Sequence, residues 1–373
     1  MSQEKKGMGV AIIGCGGFVR GNHLPNAHRN PNLHLRALCD LDQPLLERLA
    51  GQYHPDYVTT DHRKLAADPE IDLVIIGTTP EVRVELIKAA AEGGKNIYVE
   101  KPMSLGYEDS AEIVQIIRRT GVKLQVGFNR PYSPIMQEAK RVFKKMRRQP
   151  TLIVYRIVGE DLLRPMHHRT LLSSNAGSNI IHEITHIFNL LNWLTDQDPL
   201  TVYTAGDPSD DNIITLTYPD RTYATIVAGN CGTAAYPKER MEVFSDFKAL
   251  VMNEFVELEC TRIPGESDQR FPLASNPGRK VEGITVPELR QDLIAWHENI
   301  SEAELRDGHY YNSVPRVNKG HYEALQDLYE AIRDDRPVQV DAHAGAVATI
   351  LGLEALESLK KNQPVKIDYS FLK

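Results

Sequence analysis

The sequence predicts an α/β fold in two parts: a doubly wound parallel sheet, followed by an α+β region with a large, open, mostly antiparallel sheet. Three observations predict it. Short apolar runs alternate with helical patterns as far as Val126. The first apolar run ends in a cluster of glycines. Beyond residue 150, several runs alternate apolar and polar residues, which is typical of a sheet with one covered face.

The composition is that of a globular protein with two cores. The chain has 373 residues, of which 42% are hydrophobic and 25% are charged. The net charge of −7, without a long basic run, argues against nucleic acid or membrane as partners. Four isolated cysteines, a polar start without a signal peptide and the lack of any membrane-length apolar run predict a cytoplasmic location.

The first half contains a regular series of strands and helices. The predicted strands are Met8–Ile13, Leu33–Cys39, Ile71–Ile76, Ile97–Val99 and Lys123–Val126, and the main helices are Leu45–Ala50, Val82–Ala91 and Tyr107–Arg119. Such a series is typical of a Rossmann dinucleotide-binding domain. We assign residues 1–128 to it and residues 129–373 to a substrate-binding and oligomerisation domain, whose final helices can pack back on the first domain.

The first strand leads into the segment Gly14-Cys15-Gly16-Gly17-Phe18-Val19. Gly14 can make the tight turn, and Gly16 lets the backbone approach a pyrophosphate at the N-terminus of the next helix. Val19 stands at the third fingerprint position, where glycine or alanine is usual, and we expect Gly17 to relieve the crowding. The motif is moderately specific for a dinucleotide.

Asp40 follows the second strand, about 20 residues beyond the glycines, where an acid binds the adenosine ribose. No arginine follows it directly, so the phosphate of NADP would meet negative charge, and the sequence favours NAD over NADP. The alternative is that Asp40 caps a helix. Asp42 can supply that cap instead, which leaves Asp40 for the cofactor.

Further candidates follow the later strands, at the edge of the sheet where ligands bind in such folds. They are Thr78, Thr79 and Pro80 after the strand that ends at Ile76, and Glu100 and Lys101 before Pro102, which ends the next strand. A lysine held beside a sheet needs a partner or a function. The alternative is a solvated lysine in a turn.

These motifs resemble the glucose–fructose oxidoreductase, inositol dehydrogenase and rhizopine-catabolism (Gfo/Idh/MocA) family of NAD(P)-dependent sugar dehydrogenases. The resemblance covers nearly the whole chain, in the family's order and spacing. It rests on the glycine segment, Cys39-Asp40, Thr78-Thr79-Pro80, Glu100-Lys101-Pro102 and Gly127-Phe128-Asn129-Arg130. Arg83 stands where members more often carry histidine or asparagine. The resemblance implies a cofactor site formed by Gly14, Gly16, Gly17, Phe18, Val19, Asp40, Thr78, Thr79, Pro80, Glu100, Lys101 and Asn129.

The second half is rich in predicted strands. They are Thr151–Val158, Leu200–Thr204, Asn212–Tyr218, Thr222–Ala228, Arg240–Phe244 and Phe255–Cys260. A helix is predicted at Pro131–Lys145, and others at Leu289–Glu304, His321–Arg333 and Ala342–Lys361. The segment Pro264–Val286, rich in glycine, proline and charge, is expected to be a long loop. An open sheet exposes an apolar face, so we expect a homodimer or homotetramer formed through it.

The segment His182-Glu183-Ile184-Thr185-His186 satisfies the His-Glu-x-x-His motif of zinc peptidases. Such a site needs a third ligand, and no glutamate lies between Glu183 and Glu239. We therefore predict no metal and keep zinc metallopeptidase as a remote alternative.

The same segment resembles the substrate-site helix of the family, in which His186 falls on the catalytic histidine. Glu183 matches an acid of one branch, His182 stands at the aspartate position of another, and Asn189 replaces a following aspartate. The alternative for His182 and His186 is a structural role, in which the imidazole is hydrogen-bonded inside a helical core and takes no part in catalysis.

The resemblance implies reversible oxidation of a secondary hydroxyl on a sugar, polyol or glycoside. His186 would be the general base, oriented by Glu183 or His182, and Lys101 would stabilise the alkoxide. The candidate substrate contacts are Lys101, Asn129, Arg164, His167, His168, Arg169, His182 and His186. For Asn129 and the residues from Arg164 to Arg169, the alternative is that they are ordinary solvated loop residues. The rival functions are an NAD-dependent glycosidase without net redox change and a non-catalytic sensor.

Overall fold

The computed structural model describes residues 7–160, 178–207, 211–301 and 314–372, and it forms two compact units. The first unit comprises Met1–Asn129, His321–Ile350 and Tyr369–Lys373. The second comprises Arg130–Gly320 and Leu351–Asp368. The assignment of the two domains to residues 1–128 and 129–373 stays a prediction.

The first unit is built on a parallel sheet of six strands, which confirms the predicted doubly wound sheet. The strands are β1 Met8–Ile13, β2 Leu33–Cys39, β3 Tyr57–Thr59, β4 Leu73–Ile76, β5 Asn96–Val99 and β6 Leu124–Val126. Their order is β3-β2-β1-β4-β5-β6, and each neighbouring pair is parallel. The order reverses between β1 and β4, and ligands bind outside the carboxyl ends of the strands at such a reversal.

Helices of the first unit cover this sheet, one segment of that unit returns to it from the far end of the chain, and the second unit has helices of its own. The described helices are α1 Gly17–Gly21, α2 His23–Arg29, α3 Gln43–Tyr53, α4 His62–Ala67, α5 Arg83–Glu92, α6 Tyr107–Thr120, α7 Pro134–Met146, α8 Thr185–Thr195, α9 Val286–Asn299, α10 His321–Arg333 and α11 Ala342–Lys361. Two hydrogen bonds hold the returning segment, His321–Ile350, against β6. The Gln125 side chain donates to the carbonyl of Ala324 (2.7 Å), and the Val126 amide donates to the carbonyl of Val340 (2.9 Å).

The second unit contains a nine-stranded sheet, which confirms the predicted open, mostly antiparallel sheet. Its strands are β7 Thr151–Val158, β8 Thr201–Gly206, β9 Asn212–Thr217, β10 Thr222–Gly229, β11 Glu239–Ser245, β12 Lys248–Asn253, β13 Glu257–Thr261, β14 Gln269–Arg270 and β17 Val365–Lys366. They run in the order β14-β13-β12-β11-β7-β10-β9-β8-β17. The pair β7–β10 is parallel, and the other described pairs of this sheet are antiparallel.

The two faces of this sheet differ because side chains alternate along each strand. One face is buried: α7 packs against β12 and β13, and the Tyr218 hydroxyl donates to Asn192 of α8 (2.9 Å). The other face exposes large apolar side chains that share it by strand register: Leu152, Val154, Ile213, Tyr223, Val227 and Phe244. The predicted apolar face is therefore present in the isolated chain.

Some sequence-based boundaries were wrong. Strand β12 was not predicted, and the segment expected to be a long loop contains the short strands β14 and β15 (Leu273–Ser275), the second paired with β16 (Arg316–Val317). Helix α9 begins earlier than predicted because Thr285 and Glu288 form a capping box, and it ends at Asn299. Among the described residues, no helix is long and apolar enough to span a membrane.

Candidate active site

The glycine turn after β1 has the shape that a dinucleotide needs. Gly14 has a φ of +83°, and a Cβ there would lie 3.0 Å from the backbone of Gly77 and Thr78, so glycine is required. Apart from its immediate chain neighbours, a Cβ at Gly16 or Gly17 would have no atom of the described residues within 4 Å. The Thr78 hydroxyl is buried at the same edge without a hydrogen-bond partner among the described residues. These features fit a bound NAD, whose pyrophosphate would lie against the open glycines.

Val19 is accommodated by a glycine on the neighbouring strand end. A Cβ at Gly77 would lie 2.2 Å from Cγ2 of the buried Val19. The helix can therefore approach the sheet closely although the third fingerprint position carries a bulky side chain. The expectation that Gly17 relieves this crowding was wrong, because Gly17 faces open space.

Asp40 connects the end of β2 to the glycine turn. Its Oδ2 accepts a hydrogen bond from the Cys15 amide (2.6 Å), and its Oδ1 accepts one from the Asp42 amide (3.0 Å). The helix cap is supplied by Asp42, which accepts from the Leu45 amide (2.9 Å). Each oxygen of Asp40 retains acceptor capacity, which suits the two hydroxyls of a ribose.

Arg83 is a structural clamp at the carboxyl ends of β4 and β5. Its buried guanidinium donates to the carbonyls of Thr78 (2.5 Å), Glu100 (2.5 Å) and Pro102. Burial lowers the pKa of Arg83 to about 10, against the opposing charges of Glu100 and Glu81. The side chain therefore stays charged at neutral pH and joins the turn that contains Thr78 to the turn that contains Lys101.

Glu100 lies buried beneath Lys101. Its Oε1 is 2.6 Å from Nε2 of His23, and its Oε2 accepts from the Lys101 amide (3.2 Å). Burial alone would raise the pKa of Glu100, but the hydrogen bond and charge of His23, with the charges of Lys101 and Arg83, lower it below its usual value. Gly127 leaves the necessary room, since a Cβ there would lie 2.7 Å from Oε1. Direct contact of Glu100 with the cofactor stays a prediction.

His321 was not predicted as a site residue. It begins α10, and its Nδ1 is 3.5 Å from Nδ2 of Asn129, the residue three positions after β6. Its ring centroid is 6.0 Å from that of Phe18, which is 47% exposed and follows the glycines. Asn129 and His321 are 192 residues apart in sequence, and no spacing motif connects them. A histidine directly after Gly320, at the start of a helix, is the signal that could have drawn attention to it.

In the second unit, the segment with the candidate catalytic histidine is a π-helical turn, Ile180–Ile184, that continues directly into α8. Such turns occur frequently at functional sites. His186 is buried in the first turn of α8, whereas His182 and Glu183 are half-buried. The Thr185 hydroxyl donates to the carbonyl of Ile181 (2.9 Å) across the junction.

A network of buried charges holds this turn. Glu183 Oε1 accepts from Arg130 (3.1 Å) and Lys238 (3.3 Å). Arg130, buried at the start of the second unit, also donates twice to Glu239 (2.9 Å each). Glu239 further accepts from Lys319 and from the Tyr155 hydroxyl (2.6 Å).

The charge of Glu239 is maintained by this network. Burial alone would raise its pKa, but the nearby charges of Arg130 and Lys319 hold it well below its usual value. Glu183 thus forms ion pairs with Arg130 and Lys238. Its predicted role in orienting His186 stays a prediction.

The zinc alternative finds no support in the part of the chain that the structure describes. No group of three or more His, Cys, Asp or Glu side chains there could hold a metal ion. The carboxylate of the motif, Glu183, is engaged by two cations. Four predicted substrate contacts lie outside the described residues: Arg164, His167, His168 and Arg169.

Comparison with known proteins agrees with this geometry. Residues 8–128 match the family described as "Oxidoreductase family, NAD-binding Rossmann fold". The chain is 29% identical to the uncharacterized oxidoreductase YrbE of Bacillus subtilis, with 97% of each chain covered. It is 22% identical to the myo-inositol 2-dehydrogenase of Thermotoga maritima, over 97% of this chain and 99% of that one.

A solved structure shows the same fold. The scyllo-inositol dehydrogenase of Lactobacillus casei, with bound NAD(H) and scyllo-inositol, superposes with a TM-score of 0.69 at 18% identity, over 97% of this chain and 99% of that one. The glycine turn, the acid after β2 and the lysine after β5 agree with the family match. Residues 8–128 therefore carry the NAD-binding Rossmann fold of the Gfo/Idh/MocA oxidoreductase family, and the chain as a whole resembles the inositol dehydrogenases named above.

Proposed function

We propose that the protein is an NAD-dependent dehydrogenase that reversibly oxidises a secondary hydroxyl of an inositol, another polyol, a sugar or a glycoside to a ketone. The observation that carries the proposal is the placement of Lys101. It follows β5 at the same sheet edge as the glycine turn, and its segment is fixed by Glu100 and Arg83. Several relatives described as inositol dehydrogenases support the substrate class.

In this proposal NAD, when bound, supplies the hydride acceptor. The ammonium of Lys101 hydrogen-bonds the reacting oxygen and stabilises the negative charge that develops on it. The imidazole of His186 removes the hydroxyl proton as general base. His182 and Glu183 remain candidates for orienting His186, with Glu183 held by Arg130 and Lys238.

The residues around the cofactor edge have distinct proposed tasks. Gly14 and Gly16 shape the pyrophosphate site, Asp40 binds the adenosine ribose, and Thr78 offers a buried hydroxyl to the cofactor. His321 lies beside Phe18 and within 3.5 Å of Asn129, and both His321 and Asn129 are proposed to contact the substrate or the nicotinamide.

We further propose that the protein is a homodimer or homotetramer formed through the exposed face of the nine-stranded sheet. The support is the set of large apolar side chains that share this face, because soluble proteins rarely leave such a patch bare. Light scattering should find more than one chain per particle at micromolar concentration. A single 42.0 kDa species would contradict this assembly. The cytoplasmic location stays a prediction.

The test of function is a screen of inositols, other polyols, sugars and glycosides, with NAD reduction followed by absorbance. We expect at least one polyol or sugar to reduce NAD in proportion to enzyme, and the Lys101→Ala variant to lose that activity. Cleavage of a glycoside without accumulation of NADH would favour the glycosidase instead. Absence of turnover throughout, with NAD bound, would favour the non-catalytic sensor.

A further inference from the structure

A cavity lies beside α9 on the exposed face of the nine-stranded sheet, which is also the face proposed above as the interface between subunits. Its volume is about 350 Å³, which falls in the range of small-molecule sites. The described residues that line it include three arginines and no acidic residue. The arginines come from three different elements: Arg156 from β7, Arg240 from β11 and Arg290 from α9.

The strand register places two of these cations directly opposite each other. Arg156 pairs with Arg240 across β7 and β11, and Arg240 pairs with Asn253 on β12. Like charges at directly opposite positions destabilise a sheet unless something compensates them. Arg240 has one carboxylate partner, Glu242 (2.9 Å), whereas Arg156 donates to the backbone carbonyl of Pro237 (2.9 Å), which carries no net charge.

The ring of Tyr236 contacts both Arg156 and the third arginine, Arg290. The guanidinium of Arg156 lies 5.3 Å from the centre of its ring, and that of Arg290 lies 5.4 Å from it. Arginine stacks on aromatic rings in a way that leaves its N–H groups available at the edge of the plane. Three guanidinium groups with one carboxylate among them leave this end of the sheet with an excess of positive charge.

This cavity is separate from the candidate active site. Neighbouring residues on a strand point to opposite faces. Tyr155 and Glu239, which precede Arg156 and Arg240, join the buried network of Arg130. The arginines of the cavity therefore lie across the sheet from the network that holds the π-helical turn.

We propose that this cavity binds a small organic anion that carries two negative charges, either a phosphate monoester or a dicarboxylate. Guanidinium groups bind the planar or tetrahedral oxygens of such anions by pairs of charge-assisted hydrogen bonds. The side-chain amides of Asn253 and Gln291 add neutral donors, and Val286 and Ile294 offer apolar contacts to the carbon part of the ligand. A dianion between Arg156 and Arg240 removes the repulsion between them.

The test uses the full chain and three probes: inorganic phosphate, succinate and sodium chloride at matched ionic strength. Calorimetry should detect saturable binding of phosphate or succinate, and the midpoint of thermal unfolding should rise with either beyond the effect of chloride. Tighter binding of phosphate would indicate a phosphate monoester as the ligand, and tighter binding of succinate would indicate a dicarboxylate. Arg290→Gln should weaken the binding by about tenfold or more, since a hydrogen bond to a charged group is lost.

The matched control is Arg48→Gln, which removes an exposed arginine from α3 in the first unit. It should leave anion binding unchanged, and NAD affinity should be unchanged in Arg290→Gln. The proposal is overturned if chloride reproduces the effect of both probes, or if Arg290→Gln binds them as the unmodified protein does. It is also overturned if Arg290→Gln alters the oligomeric state while the anions have no effect, because the arginines would then contact a second copy of the chain.

Discussion

The carboxyl edge of the parallel sheet and the π-helical turn of the second unit are organised in opposite ways. The first is made by backbone: a positive φ at Gly14, open space at Gly16 and carbonyls that Arg83 ties together. The second is made by side chains, with buried charges that converge from distant parts of the chain on Glu183 and Glu239. A backbone site is specified by local sequence, whereas a side-chain site depends on tertiary packing.

The difference also separates the proposed tasks. Fixed amides and glycines suit a cofactor whose shape does not vary, and the NAD-binding edge uses them. In the proposed function, His186 in the first turn of α8 is a proton acceptor beside a variable substrate, and the π-helical turn before it is held by charged groups that can be changed one at a time. Substitutions in the two regions should therefore have different consequences, and five predictions test this contrast.

The largest effect is expected for the two residues proposed to touch the reacting hydroxyl. Lys101→Ala and His186→Ala should each lower kcat by roughly 10²–10⁴-fold, because alkoxide stabilisation or general-base help is lost. His186→Ala should bind NAD as the unmodified protein does, since His186 belongs to the second unit. Stopped-flow kinetics and fluorescence titration with NAD measure the two properties. Unchanged kcat in either variant would refute its proposed role.

A substitution in the buried network of Arg130 and Glu239 should lower the unfolding free energy strongly. Arg130→Leu leaves the buried Glu239 with less compensation, and removing one partner of a buried ion pair costs about 3–5 kcal/mol of unfolding free energy. The matched control is Arg119→Leu, which removes an arginine paired with Glu92 on the surface (2.9 Å) and should change little. Urea titration measures both. Equal loss in the two variants would contradict a special role for burial.

The pH dependence of stability provides a second readout of this network. The pKa of Glu239 is lower in the folded protein than in the unfolded chain. Its stabilising contribution is therefore complete above the unfolded pKa of about 4.3 and is lost as the pH falls below that value. The difference in unfolding free energy between the unmodified protein and Glu239→Gln should shrink on acidification. A difference that grows instead would mean that the carboxylate is not stabilised by its partners.

A smaller effect is expected in the backbone region. Gly77→Ala places a methyl group 2.2 Å from Val19 Cγ2, so the protein should lose about 1–3 kcal/mol and bind NAD less tightly. Val19→Ala in the same chain should restore much of the loss, because the two atoms no longer collide. A double-mutant cycle by calorimetry checks the coupling. Additive effects would show that the two residues do not constrain each other.

The smallest effect concerns the choice of cofactor. NAD should bind at least several-fold tighter than NADP, because the carboxylate of Asp40 would repel the additional phosphate. Asp40→Ala should reduce the ratio of the NAD affinity to the NADP affinity. Asp42→Ala should leave that ratio unchanged, since Asp42 caps α3. Competitive titration with both cofactors measures the ratios. A preference of the unmodified protein for NADP would refute the role given to Asp40.

The parallel sheet was largely predictable, and the reason is local. Strands buried on both faces read as apolar runs, and β1 and β2 were found with their observed ends. The shape of the glycine turn after β1 followed from the same runs. The hydrogen bonds of Arg83 could not be predicted from local sequence. Its three carbonyl partners lie in two turns that come together only when the sheet folds.

The second unit shows where local patterns fail. Strand β12 was missed because the turn before it places Asp246 and Phe247 at positive φ without a glycine, so the usual hairpin signal is absent. Arg130 and Glu239 are separated by 109 residues, and their pairing depends on the packing of β11. The contact of Glu183 in the π-helical turn with Arg130 likewise joins residues that no periodicity connects.

Transfer of hydride from a carbon of the substrate to NAD distinguishes the proposed dehydrogenase from its rivals, and isotope labelling follows that transfer. A polyol that carries deuterium at the oxidised carbon is incubated with NAD and the unmodified protein, and the NADH formed is analysed by mass spectrometry. We expect one deuterium in each NADH, accumulating in step with the ketone. NADH without deuterium, or product without any NADH, would contradict the account.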